Sequence, residues 1–171
     1  MVQFNSSSVK KIRKQLVKDF PNIAGVLNEI LPKKSVVYSM RLKENDKCEL
    51  VILNNEVIFI THFKRVFPSL KVLQKYPFML TQQKVDRGAI KFVMNGADIM
   101  CPGFTSEGGN LNKAEEGEVV AIMAEDKIHP FAVGVMKKSS QQIQEVNKGV
   151  GVTNLHFLGD ALWGLKDFRK K

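Results

Sequence analysis

The chain has 171 residues, 44% hydrophobic and 25% charged, with a formal net charge of +9; these proportions are those of a globular protein and exclude a long disordered tail. Its apolar runs fall short of the roughly 18 residues that cross a bilayer, and the lysine-rich opening segment lacks the apolar centre of a secretory signal. Two cysteines, Cys48 and Cys101, are too few for a disulfide scaffold and lack CxxC metal-binding spacing, so we expect a reducing, cytosolic compartment.

The first 80 residues begin with two predicted helices. The hydroxyls of Ser6-Ser7-Ser8 can cap the first helix. Apolar residues at helical spacing mark its buried face: Val9, Ile12, Leu16, Val17 and Phe20. Pro21 opens a second, shorter helix, which Pro32 ends.

Three strands and a third helix complete this part. The strands are predicted at Val36–Leu42, Glu49–Leu53 and Glu56–Phe63. Asn54-Asn55 joins the last two as a two-residue hairpin turn, because asparagine tolerates positive φ. A helix over Pro68–Lys75 gives the order ααβββα, which is typical of a small α/β module.

Polar residues at Thr81–Asp86 mark a boundary between two domains, predicted as 1–80 and 81–171. The segment is short, which favours rigid packing of the two halves. The next predicted helix carries Val85, Ala89, Phe92 and Val93 on one face and ends at Asn95-Gly96. A β pattern with glycine corners, typical of a small barrel, then follows: strands Asp98–Cys101, Val119–Ala124, Phe131–Met136 and Val150–Phe157, with a helix over Ser139–Asn147.

The positive charge is concentrated at the N-terminal side. Residues 1–80 carry 14 Lys and Arg against 6 Asp and Glu, whereas residues 81–171 carry 12 against 11. Such an excess favours a polyanionic partner, because lysine and arginine release counterions condensed on phosphates. A surface that only aids solubility and an anionic membrane are the alternatives. The candidate phosphate contacts are Lys10, Lys11, Lys14, Lys33, Lys34, Lys64 and Arg65.

No pattern in the sequence indicates catalysis, a cofactor or a metal. The three histidines, His62, His129 and His156, lie on separate predicted strands or turns without a partner at metal-ligand spacing. The glycine-rich stretch 105–109 lacks the GxxxxGK[ST] pattern of a phosphate-binding loop. Cys101 follows an apolar strand, where a buried structural thiol is the more ordinary role than a nucleophile. We therefore expect a non-enzymatic protein.

The run from Gly96 to Phe104 is distinctive. A glycine at the helix end lets the chain reverse into a short strand, and Pro102-Gly103 turns it again. Small residues allow an RNA backbone to approach closely, which predicts backbone amides open to RNA. The candidate RNA-binding residues of this run are Gly96, Ala97, Asp98, Cys101, Pro102 and Gly103.

This run resembles the opening of PUA domains, the RNA-binding barrels of pseudouridine synthases and archaeosine transglycosylases. Further matching stretches follow in the same order: Ala132–Met136 with Ser139-Ser140, then Asn147–Val152 with Leu158–Asp160 and Trp163. The resemblance implies an α+β protein, in which a small N-terminal α/β module is packed on a C-terminal PUA-type mixed β-barrel.

Nearly the whole chain is similar to the malignant T-cell amplified sequence family. The matching stretches are Lys75–Phe78, Val85–Val93, Ile99–Gly103 and Val120–Glu125, together with Gln15-Leu16, Phe20-Pro21 and Leu31–Lys34. The sequence departs from the family at Glu107-Gly108, where Pro-Gly is expected.

The family resemblance implies a non-catalytic translation factor. Members pair with density-regulated protein, a subunit with an SUI-type domain, and act on the small ribosomal subunit in removal of deacylated tRNA, reinitiation and initiator tRNA placement. We expect the basic module to grip ribosomal RNA and the PUA face to lie near RNA, for example a tRNA acceptor end. Phe92 is interpreted either as a core residue or as part of an apolar seat for the partner subunit.

Three other functions are left open by the sequence. They are a ribosome-biogenesis factor that assists rRNA maturation, an RNA-modifying enzyme in which the PUA domain is the targeting arm, and a chromatin-associated binder. The N-terminal part lacks a catalytic Asp or Cys motif, which argues against the enzyme.

Overall fold

The computed structural model describes residues 1–42, 45–63, 65–166 and 168. The chain divides into two compact units, the first formed by Met1–Val72 with Leu165–Lys171 and the second by Leu73–Gly164. Each unit contains a five-stranded sheet with helices, which confirms the predicted α+β class. Within these ranges, no helix combines the length and apolarity needed to cross a membrane.

The first unit is built on an antiparallel sheet with the strand order β1-β2-β3-β4-β5. Its elements are β1 (Val2–Gln3), α1 (Ser6–Asp19), a 3-10 turn (Pro21–Ile23), α2 (Leu27–Ile30), β2 (Val37–Leu42), β3 (Asn45–Leu53), β4 (Glu56–His62) and β5 (Arg65–Pro68), followed by α3 (Leu70–Lys75). The predicted order ααβββα therefore lacks two edge strands, β1 and β5. Strands of two and four residues are too short to show a period-2 pattern.

The start of α1 differs from the prediction by a few residues. The side chain of Asn5 accepts a hydrogen bond from the backbone N–H of Ser8 and is the N-cap. The serines therefore form the first helical turn. Leu16 is fully buried, as predicted, whereas Val17 is 38% exposed. Val17 follows Leu16 directly, so its side chain points about 100° away from the buried face of the helix.

The hairpin between β3 and β4 confirms the predicted turn. Asn54 and Asn55 have φ values of 50° and 64°, and Leu53 pairs with Glu56 across the two-residue loop. Cys48, on β3, is buried in this unit, and burial raises the pKa of its thiol above the ordinary value.

The second unit contains a mixed sheet with the strand order β6-β8-β9-β10-β7, curled as a half-barrel. Its elements are a 3-10 turn (Pro77–Met79), β6 (Thr81–Val85), α4 (Arg87–Val93), β7 (Ile99–Met100), α5 (Pro102–Thr105), β8 (Val119–Ala124), β9 (Pro130–Met136), α6 (Ser140–Glu145), β10 (Val150–Phe157) and α7 (Ala161–Gly164). β6 runs parallel to β8, and the other pairs are antiparallel. The predicted mixed β architecture of the C-terminal part is confirmed.

The core of this unit forms around β8 and β9, in which every residue is buried. Burial on both faces requires the continuous apolar runs that both strands have, without the alternation of a half-exposed strand. A capping box between Ser139 and Gln142 begins α6. Ile143 of this helix packs in the same core.

The polar segment Thr81–Asp86, interpreted as a boundary, contains strand β6. Its Gln83 is fully buried, and its side-chain amide makes two hydrogen bonds to the backbone of Asn112. The NH2 group donates to the carbonyl at 2.9 Å, and the amide oxygen accepts from the N–H at 2.7 Å. The polar side chain is thus satisfied inside the second unit. The domain limits 1–80 and 81–171 stay a prediction.

Candidate functional site

An apolar groove of about 590 Å³ opens in the second unit beside α4, β7 and the start of α5. Phe92, Met100 and Pro102 are among the apolar residues that line it. Of the described residues that line this groove, two are ionisable, Asp86 and Asp98. A concave, mainly apolar surface with few polar groups is typical of a binding site.

Local sequence features position the elements around the groove. Asp86 caps α4, because its carboxylate accepts from the N–H of Ala89 at 2.9 Å, and its own N–H donates to the carbonyl of Gly103. Gly96 has a φ of 87°, which lets the chain reverse after α4. β7 then returns as the edge strand and pairs with β10. The helix and the edge strand therefore meet at the groove.

Large apolar side chains at and beside the groove are exposed to solvent. Phe92 is 57% exposed, Met100 50% and Met94 40%, while the neighbouring Val93 is buried. The interpretation of Phe92 as a core residue is therefore wrong, because Val93 occupies the inward position of the helix. The Lys91 ammonium lies 5.0 Å from the centroid of the Phe92 ring. Exposed apolar side chains beside a groove indicate a binding surface, so the assignment of Phe92 to a partner seat stays a prediction.

The exposed rim of the groove includes Ala97 and Asp98, which follow the exposed Gly96. Asn154, on β10, holds this rim: its side chain donates to the carbonyls of Val93 and Ala97 at 3.0 and 3.1 Å. Its backbone N–H donates to the Asp98 carboxylate at 2.9 Å. Sequence reasoning missed Asn154, because an asparagine within a strand pattern carries no local signal for a contact 57 residues away.

Two candidate RNA-binding residues of the run are not accessible. Cys101 and Gly103 are buried, and the Cys101 thiol lies 3.4 Å from the carbonyl oxygen of Lys148. In β7, Ile99 points to the core and Met100 to solvent, as neighbouring residues of a strand do. Cys101 is then the N-cap of the short helix α5, inside which Gly103 is buried. Cys101 is thus a structural thiol, and the exposed part of the run is Gly96–Asp98, with Met100 and Pro102.

The prediction of backbone amides open to RNA is wrong for three residues of the run. The N–H of Gly96 donates to the carbonyl of Val93, and that of Ala97 to the carbonyl of Phe92. The N–H of Cys101 donates to Gly149 at 2.8 Å. These amides close the end of α4 and the edge of the sheet, so a phosphate cannot use them without breaking the fold.

Most of the candidate phosphate contacts are exposed in the first unit. On α1, Lys10, Lys11 and Lys14 face solvent. Lys33 and Lys34, between α2 and β2, and Arg65, at the start of β5, are exposed as well. Lys64 lies outside the described residues. The structure leaves the phosphate contacts themselves as a prediction.

One cation of α1 has a structural role instead. The Arg13 guanidinium donates to the carbonyls of Leu27 and Leu31 and to the side chain of Asn28. The Leu31 carbonyl lies just after α2, where no later helical N–H follows, so Arg13 supplies a donor to it. The Leu27 carbonyl accepts from the Leu31 N–H as well. This contact separates Arg13 from the lysines around it.

The buried His156 forms a structural pair with Asp160. Their side chains approach to 2.7 Å, and the carboxylate also accepts from the N–H groups of Phe157 and Trp163. Burial alone would raise the pKa of Asp160, but the hydrogen bonds from His156 and the two backbone groups outweigh it and hold the pKa below its ordinary value. Elsewhere in the described ranges, no three His, Cys, Asp or Glu residues gather as metal ligands would.

Two family models match the chain. Residues 1–77 match the Pre-PUA-like domain, and residues 82–158 match the PUA domain.

Relatives and solved structures extend this similarity. The chain is 48% identical to malignant T-cell-amplified sequence 1 of Danio rerio, covering 98% of this chain and 92% of the relative. It is 44% identical to translation machinery-associated protein 20 of Schizosaccharomyces pombe, covering 92% and 87%. A hypothetical protein of Pyrococcus horikoshii has a TM-score of 0.77 at 25% identity, with 96% and 98% covered. A PUA domain protein of Thermoplasma acidophilum has a TM-score of 0.69 at 17% identity, with 94% and 95% covered.

Proposed function

The chain belongs to the malignant T-cell-amplified sequence family, and on that premise we propose that it is a non-catalytic adaptor of the translation machinery. Family membership and the PUA domain make it a translation-associated, RNA-binding protein. The proposal goes further: in the cytoplasm, with a density-regulated-protein-type subunit, it acts on the small ribosomal subunit. The steps it serves are removal of deacylated tRNA, reinitiation and non-canonical initiation.

The observation that carries the proposal is a pair of surfaces with different chemistry. The first unit exposes lysines on α1 and after α2, and such side chains bind phosphates without reading sequence. The second unit exposes an apolar groove beside Phe92. Aromatic and methionine side chains are enriched in protein interfaces, and aromatic rings also stack on nucleobases. An adaptor needs two such contacts, one for the ribosome and one for a partner or an RNA end.

The non-catalytic part of the proposal is supported by how the reactive side chains are used. The Cys101 thiol is buried, and the His156–Asp160 pair holds β10 to the start of α7. A catalytic group must reach its substrate. Neither the thiol nor the pair lines the groove.

The test is binding of the full chain to purified small ribosomal subunits over a range of salt concentrations. Replacing both Lys10 and Lys14 with Glu removes two candidate phosphate contacts, so the slope of log affinity against log salt should fall by about 2. The melting temperature should hardly change, because both side chains are exposed. The matched control reverses Lys113 and Lys127, two exposed lysines of the second unit, and should leave the slope nearly unchanged.

Equal slopes for the two double variants would contradict a contact through α1.

Sedimentation of the chain from cell extract distinguishes the proposed function from the main alternative, a ribosome-biogenesis factor. Association with mature small subunits and an SUI-domain protein is expected, whereas association with precursor particles alone would favour a ribosome-biogenesis factor.

A further inference from the structure

We propose that the tip of the β4–β5 hairpin is a stacking contact for an unpaired base of RNA, with Phe63 as the stacking ring. This aromatic tip consists of Phe63 with Lys47 and Arg65. The inference deepens the proposed function, because it names a contact of the first unit that is not ionic.

The geometry of the hairpin presents Phe63 to solvent. His62 pairs with Arg65 across β4 and β5, and Phe63 directly follows the last residue of β4. The N–H of Phe63 donates to the carbonyl of Lys47 on β3, which ties the tip to the neighbouring strand. The Phe63 side chain nevertheless points out of the unit and is 63% exposed. The backbone of Phe63 is therefore held in place by β3, while its ring lies outside the core.

Packing of the core does not require a phenylalanine at this position, because the side chain is largely exposed. Phe63 has a φ of 48°, a conformation that a bulky side chain disfavours. The β3–β4 hairpin of the same sheet has positive φ at Asn54 and Asn55, residues that tolerate this conformation. An exposed ring in an unfavourable backbone conformation lowers the stability of the unit, and such positions are concentrated at functional sites.

The surroundings of the ring match a single-stranded nucleic acid. The Lys47 ammonium lies 4.5 Å from the centroid of the Phe63 ring, and the His62 ring lies 4.5 Å away at an interplanar angle of 70°. Proteins that bind single strands combine cations, which follow the phosphates, with aromatic rings, on which bases stack. The exposed Arg65 adds a second cation at the same tip.

A lipid surface fits these observations less well. A segment that enters a membrane buries several apolar side chains together. Phe63 is flanked in the chain by His62 on one side and by Lys64 and Arg65 on the other, so a single ring is available.

The experiment measures binding of the full chain to a short single-stranded oligoadenylate, compared with a duplex RNA of equal length. Phe63→Leu keeps an apolar side chain at the same φ but removes the ring, and should weaken oligoadenylate binding by about tenfold. Phe63→Tyr keeps the ring and should stay within about twofold of the original chain. Both variants should show the original salt slope and the original duplex affinity, because no phosphate contact is lost.

Phe63→Asn separates binding from folding. Asparagine suits the positive φ, so the melting temperature should rise while oligoadenylate affinity falls as for Phe63→Leu. Oligoadenylate affinity that is absent from the original chain, or unchanged in Phe63→Leu, would overturn the proposal. So would equal loss for Phe63→Leu and Phe63→Tyr.

Two further measurements separate this proposal from its rivals. Vesicles of phosphatidylserine and phosphatidylcholine that bind the original chain but not Phe63→Asn, with unchanged oligoadenylate affinity, would assign the tip to a membrane and overturn the RNA contact. Ring-dependent oligoadenylate binding by a chain that fails to bind small ribosomal subunits would refute the proposed function and leave the stacking contact standing.

Discussion

The two parts of the chain differ in glycine content and in charge, and they present different kinds of surface. Residues 1–80 contain one glycine and an excess of eight positive charges, whereas residues 81–171 contain eleven glycines and an excess of one. In the first unit, helices and an antiparallel sheet expose lysines that need only to stand in solvent. In the second, a closely packed half-barrel positions a groove whose shape depends on backbone contacts. A charged surface can therefore be recognised in a composition, while a shaped apolar surface requires the fold.

The largest effect is expected where this close packing is disturbed. A methyl group on Gly109 would lie 2.7 Å from the carbonyl oxygen of Phe104 and 2.8 Å from that of Gly103. Because backbone atoms cannot move aside cheaply, Gly109→Ala should lower the free energy of unfolding by about 3 kcal/mol, measured by urea denaturation. The control is Gly25→Ala in the first unit, where no atom lies within 4 Å. Similar losses for both variants would show that the contrast in packing is wrong.

A smaller effect should follow from changing the groove without disturbing the core. Phe92→Asp places a charge on the exposed apolar face and should weaken binding of a density-regulated-protein-type subunit by about 2 kcal/mol, or roughly thirtyfold. Calorimetric titration of the purified proteins measures this. Ile128→Asp, at a position that is 80% exposed and outside the groove, is the control. A thirtyfold loss in the control, or none in Phe92→Asp, would remove Phe92 from the partner seat.

The smallest effect concerns the anchoring of β10. The folded pKa of Asp160 is lowered, so its contribution to stability is present above the unfolded value of about 3.9 and is lost as pH falls through the folded value. Asp160→Asn places an amide where His156 and two backbone N–H groups need an acceptor, at a cost of about 1 kcal/mol at neutral pH. Thermal unfolding as a function of pH should show the difference from the original chain shrinking below about pH 4. A difference that is constant down to the acid limit would contradict the role of the ionised carboxylate.

Regular elements of ordinary length could be predicted from local chemistry. β8 and β10 have the predicted limits, and Asn54-Asn55 forms the predicted turn. The continuous apolar run of β8 and the tolerance of asparagine for positive φ both act locally. Strand β6 was missed, since the burial of Gln83 depends on a loop 29 residues further on. Such a partner cannot be read from neighbouring residues.

The candidate site was harder to predict than the fold. Helical periodicity placed Phe92 and Val93 on one face, yet they lie about 100° apart around α4 and only Val93 points inward. The exposure of the lysines followed from their chemistry. Phe92 is exposed instead because Val93 takes the inward position of α4, and the packing of the helix in the tertiary structure decides which of the two is buried.

Each unit encloses one free cysteine, Cys48 in the first and Cys101 in the second. Modification requires the thiolate to attack the reagent, so either sulfur reacts only while the surrounding unit is transiently open. Variants that keep only one of the two cysteines would therefore report the rate of transient opening of one unit each. A modification rate that falls when a ribosomal subunit is bound would show which unit the bound subunit stabilises against opening.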